Sequence, residues 1–143
     1  MHIKRITQAT LLAISVSLTA VAAAQSAVQP KSKVVFQISD SDVGKWNVVL
    51  ANAKNVQQEI GAEKVQIAIV AFGPGIGMLK ADSSASNRVT EVASSGIEIV
   101  ACERAMAGQK LTKADMNTAV SYVPLGVVEL MKRQSAGWAY IHP

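Results

Sequence analysis

Apolar residues recur along this chain with two spacings, and the switches between them outline an order of elements. Val34-Val35-Phe36-Gln37-Ile38 is a short β-branched run, which predicts a first strand. Ser39-Asp40-Ser41-Asp42 follows, and such side chains cap free backbone N–H groups at a helix start. Trp46, Val49, Leu50, Ala53, Val56 and Ile60 then repeat at helical spacing, up to Gly61 at the position of a C-terminal cap. Val65 to Phe72 is almost wholly apolar, as expected of a parallel strand covered on both faces. Gly73-Pro74-Gly75-Ile76-Gly77 reads as a loop.

The alternation continues. Ala85, Val89, Val92 and Ala93 mark a second helix, stopped by Ser94-Ser95-Gly96, and Ile97 to Ala101 predicts a third strand ending at Cys102. Thr112-Lys113-Ala114-Asp115 has the form of a capping box, with Met116, Ala119 and Val120 continuing a short helix. Val123 precedes Pro124, which favours an extended backbone. Val127, Leu130 and Met131 mark a last helix closed by Gly137, and Trp138 to Ile141 a final short strand. Strands alternating with helices at this spacing predict a three-layer α/β/α domain with a mainly parallel sheet of four or five strands. Ligands of such sheets bind beyond the carboxyl ends of the strands. Three features are expected there: the loop after strand one, the glycine loop after strand two, and Cys102 after strand three.

The first 24 residues read differently. Lys4 and Arg5 precede an apolar stretch from Ala9 to Val21 and the small-residue site Ala22-Ala23-Ala24. A basic start, a short apolar centre and an Ala-x-Ala site predict a secretory signal peptide over residues 1–24, hence a periplasmic protein with no membrane segment after cleavage. Residues 25–32 form a polar, flexible lead, and 33–143 the domain.

Composition gains meaning once that segment is set aside. The whole chain has 143 residues, 50% hydrophobic and 4% aromatic, with a formal net charge of +4. Removing Lys4 and Arg5 lowers that charge to +2, and no clustered basic face is left to bind nucleic acid. One cysteine and two histidines exclude a disulfide framework and provide too few soft ligands for a structural zinc site within one chain. His2 leaves with the signal, so His142 is the only histidine beyond it. No metal or cofactor is expected.

Cys102 is therefore the reactive side chain to place. A helix starting at Glu103 would present free N–H groups to a thiolate, and Arg104 would add positive charge. The alternative is an inert buried cysteine. Gly73, Pro74, Gly75 and Gly77 form a candidate anion or ligand loop, or a tight loop that lets the backbone approach closely; the full dinucleotide fingerprint and the Lys-Ser/Thr of a phosphate loop are absent. Asp40 and Asp42 read as caps, Arg88 and Arg133 as solvated helix residues, and Trp46 and Trp138 as packing.

Four stretches in order carry a family resemblance: Val70 to Ile76, Gly96 to Cys102, Val123 to Leu130, and Gln134 to Ile141. Together they resemble the DsrE/DsrF-like family of small sulfur-metabolism proteins, across nearly the whole predicted domain. The resemblance implies a three-layer α/β fold, a homo-oligomer (trimer or hexamer), and a persulfide carried on a cysteine at the end of the strand that Cys102 closes. The partner would be a sulfur donor or acceptor protein or a small sulfur compound. Two readings stay open: an exported sulfur-handling protein, or a non-catalytic oligomeric module that binds a small ligand or protein and in which Cys102 is structural.

Overall fold

The computed structural model describes residues 31–143, so the expected signal peptide and most of the polar lead lie outside the described residues. Five strands form one parallel sheet in the order β4-β3-β2-β1-β5. They are β1 (Ser32–Ile38), β2 (Val65–Ala71), β3 (Glu98–Cys102), β4 (Ser121–Val123) and β5 (Ala139–Ile141). β1 starts one residue inside the expected lead, because the Ser32 amide donates to the Lys64 carbonyl at 2.9 Å. The helices are α1 (Val43–Ile60), α2 (Ser86–Ser94), α3 (Glu103–Gly108) and α4 (Gly126–Ser135).

The strand order decides which helix lies where. From β1 to β4 the chain steps always in one direction across the sheet, then returns past three strands to place β5 beside β1. Right-handed crossovers put all helices of the outward steps on one face and the helix of the return on the other. The packing follows this rule. Val34, Phe36, Ile38, Ile67, Ile69 and Ile99 join Trp46, Val49, Leu50, Val89 and Met106 of α1, α2 and α3 in the larger core. Val35, Ala68, Val70 and Val100 point the other way and meet Leu130 of α4. β1 and β2 are apolar at consecutive positions because both of their faces are covered.

Asp42 caps α1, its carboxylate accepting from the Lys45 amide at 3.1 Å, and Gly61 ends the helix with φ 98°. Asp40 pairs with Lys45 at 3.0 Å, and its carbonyl accepts the Trp46 indole N–H at 2.7 Å, which locks that ring into the core.

Three local expectations are corrected. Gly73–Leu79 is a 3-10 helix rather than a loop. Ile76, Met78 and Leu79 are fully buried and pull the segment down, while Gly75 lies so close to the Ile38 carbonyl that any side chain would overlap it. Met116 to Val120 do not form a helix. The capping box closes only one 3-10 turn, Lys113–Asp115, after which Met116 bridges antiparallel to Lys80. Asn117 replaces the missing helical bonds. Its amide donates to the Ser86 carbonyl and to the hydroxyls of Ser86 and Thr90 at 2.9–3.0 Å, and its oxygen accepts from the Ala119 amide at 2.9 Å. Arg133 is not a solvated helix residue. Its side chain is 11% exposed, binds Glu129 at 2.7 Å and Glu98 at 2.8 Å, and lies over the Trp138 ring.

Candidate functional site

The topology opens a crevice at one place. The chain leaves β3 toward α3 on the larger-core face, and leaves the neighbouring β4 toward α4 on the opposite face. Diverging connections at adjacent strand ends leave a gap above the sheet, where open α/β domains bind ligands. A cavity of about 200 Å3 occurs here, lined by Phe72, Gly73, Cys102, Arg104, Ala105, Leu125 and Val127.

Cys102 is the last residue of β3, pairs with Val123 of β4, and is buried at 3% exposure. It shares the sheet face of Val100, so its side chain points toward α4. Gly126, the first residue of α4, fits directly against it: a Cβ there would stand 3.3 Å from the Cys102 Cβ and 3.1 Å from the Phe72 Cβ. A glycine at this position lets the start of α4 close over the ends of β2 and β3.

The expected helix after Cys102 is present. Cys102 is the N-cap of α3 but makes no side-chain capping bond. The turn is short, six residues, and its Arg104 amide is already spent on the Pro124 carbonyl at 3.3 Å, which ties the α3 start to the β4–α4 connection. Two side chains bear on the charge of the thiol. Arg104 lines the cavity from an exposed position. Glu103, which would oppose a thiolate, is drawn aside to Lys113 at 3.2 Å. The remaining walls are carbon: Phe72, Ala105, Leu125 and Val127.

The glycine loop contributes less than its sequence suggests. Of its four candidate residues, only Gly73 reaches the cavity. Its φ of 51° suits glycine, and its carbonyl accepts the Gln109 side chain at 3.0 Å. Gly75 is buried against Ile38, Gly77 packs on the Trp46 ring, and Pro74 sits in the first turn of the 3-10 helix. The glycines there serve close packing, so Pro74, Gly75 and Gly77 do not form an anion cradle at the site. Arg88 is bound to Asn47 at 2.9 Å, away from the cavity. His142 approaches Asp40 at 4.0 Å, beyond the β1 side of the sheet rather than beside Cys102. Among the described residues no group of three or more His, Cys, Asp or Glu side chains is placed to hold a metal ion.

Phe72, Leu125, Gly126 and Val127 were not singled out as site residues by sequence. The available signal was Val123-Pro124, an extended residue followed by a turn, which marks the carboxyl end of a strand beside Cys102.

With this geometry in view, comparison with known proteins is decisive on one point. A model of the DsrE/DsrF-like family matches residues 32–143. The chain belongs to the DsrE/DsrF-like family. A solved structure of a protein of unknown function from Methanobacterium thermoautotrophicum is 30% identical, with a TM-score of 0.76, covering 79% of this chain and 100% of that one. A second, a conserved protein of unknown function from Bacteroides thetaiotaomicron, is 18% identical with a TM-score of 0.66, covering 78% and 95%, and shares the fold. A search of curated proteins finds no match. The family and the α/β fold implied by the sequence are thus established for the domain, and of the four or five strands expected the sheet has five, all parallel.

Proposed function

We propose that this DsrE/DsrF-like domain handles sulfur through a persulfide on Cys102. The observation that carries the reading is the position of the thiol: at a strand end, at the topological switch of the sheet, in a small cavity whose one charged side chain is Arg104. A thiolate at Cys102 attacks the outer sulfur of a donor persulfide, R–S–SH. The new bond joins the two sulfurs, the old S–S bond breaks with its electron pair leaving on R–S⁻, and Cys102 becomes Cys–S–SH. Arg104 stabilises the anionic sulfur before and after transfer.

Export is a separate part of the proposal: the N-terminal sequence has the form of a signal peptide and would deliver the domain to the periplasm. There a lone thiol is either shielded, as the 3% exposure of Cys102 would make it, or used for its reactivity. A homo-oligomer, trimer or hexamer, is supported by the exposed apolar side chains on and around α4 and β5, Leu125, Val127, Val128, Met131, Tyr140 and Ile141.

The same burial favours a second reading, in which Cys102 only packs under α4 and the domain is a non-catalytic binding module. One experiment separates them. The reduced domain is treated with inorganic polysulfide and its intact mass is measured. Gain of one sulfur atom on the native chain and none on Cys102→Ser is expected. A native chain that takes up no sulfur, from polysulfide or from an organic sulfane donor, overturns persulfide chemistry and leaves the packing role.

A further inference from the structure

We infer that the sulfur donor of this site is a small organic sulfane compound with an apolar body and a single negative charge, of the thiosulfonate type, rather than a doubly charged inorganic anion. The inference rests on the persulfide reading of Cys102 and adds the donor class.

The cavity wall is the reason. Four of its seven lining residues, Phe72, Ala105, Leu125 and Val127, offer only carbon. The Gly73 carbonyl is already occupied by Gln109, and the Arg104 amide by Pro124. Arg104 is the one cationic side chain of the lining, and no carboxylate stands within salt-bridge distance of it among the described residues. The nearest acidic neighbour in sequence, Glu103, is committed to Lys113. Arg104 supplies one positive charge, so it matches a monoanion and leaves a doubly charged anion with one charge in excess. A monoanion is neutralised by Arg104, and its apolar part gains from Phe72, Leu125 and Val127. A volume of about 200 Å3 lies below the range for drug-sized ligands and suits a fragment of one ring or a short alkyl chain.

For an aryl thiosulfonate, Ar–SO2–S⁻, the transfer balances without another reactant. The Cys102 thiolate forms a bond to the terminal sulfur, the bond between that sulfur and the sulfonyl sulfur breaks, and its electron pair leaves with the sulfinate Ar–SO2⁻. The sulfonyl sulfur is reduced by two electrons, and the thiolate and terminal sulfur together are oxidised by two, to the persulfide level. Charge is two negative on each side.

The test compares sulfur uptake, by intact mass against time, from benzenethiosulfonate, thiosulfate and inorganic polysulfide. Each rate is divided by the rate of the same chain unfolded in urea, which removes the intrinsic reactivity of the donors. The native fold is expected to favour benzenethiosulfonate over thiosulfate by about tenfold on this scale, from the apolar contact of the ring and the match of a single charge to Arg104. Arg104→Gln is expected to lower the benzenethiosulfonate rate about threefold to tenfold, and an unchanged rate overturns the pairing of the donor's charge with Arg104. Equal normalised rates for thiosulfate and benzenethiosulfonate overturn the donor class. Uptake from polysulfide with exclusion of benzenethiosulfonate also overturns it, while leaving the persulfide reading intact. No uptake from any donor overturns the persulfide reading itself.

Discussion

Replacing Gly126 by alanine tests the closure of α4 over Cys102. The added methyl would stand 3.1 Å from the Phe72 Cβ, and 3.3 Å from both the Cys102 Cβ and the Phe72 Cδ1. The Phe72 ring can rotate away, but the two Cβ atoms cannot, because β2 and β3 are neighbouring central strands held by the parallel ladder. Relief must come from α4, which has to lift by a few tenths of an ångström from the sheet face it covers alone. Overpacking of this kind costs about 1–3 kcal/mol. Against it, alanine restricts the unfolded chain and recovers about 0.4–1 kcal/mol. The expected result is a net loss of about 1 kcal/mol, read as a lower urea midpoint with an unchanged slope by circular dichroism. Lifting α4 also loosens the roof of the cavity, so iodoacetamide should alkylate Cys102 faster than in the native domain. A variant as stable as the parent, with an unchanged alkylation rate, would refute the argument that glycine is required there by contact.

Two further outcomes follow from side-chain networks. Arg133→Ala removes the cation held between Glu129 and Glu98 and over Trp138, leaving the mostly buried Glu129 unpaired, and should cost about 1–3 kcal/mol in urea unfolding; a loss below a few tenths would mean that solvent already screens the network. The Asp115 carboxylate is held below its ordinary value near 3.8, first by the Thr112 backbone N–H and then by the Thr112 hydroxyl. A folded value below the unfolded one stabilises the native state above the unfolded value, and that contribution fades as the pH falls through the folded one. Asp115→Asn should therefore lower the melting temperature at pH 7, with the gap to the parent closing below about pH 3.8; a gap constant from pH 7 to pH 2.5 would rule out the carboxylate as its source.

Local patterning was enough for most of the architecture. β-Branched runs placed β1, β2 and β3, helical spacing placed α1, α2 and α4, and Asp42 and Gly61 marked both ends of α1, because capping and periodicity depend on neighbours a few residues away. The place of Cys102 at a strand end, and the family, were also legible from order and spacing. Two short segments were misread for the same physical reason. The glycine segment after β2 and the stretch after Thr112 take their conformation from distant partners, the Ile38 carbonyl in one case and Ser86 and Thr90 in the other. Arg133 was read as solvated because its partners, Glu98 and Trp138, are supplied by other elements. What the tertiary structure alone decided is the site. Only the reversal of strand order after β4 sends α3 and α4 to opposite faces, opens a crevice beside Cys102, and lines it with Phe72, Leu125 and Val127, which the sequence did not mark as site residues. The lone thiol and Arg104 two residues on were visible in the sequence; the carbon walls are products of topology.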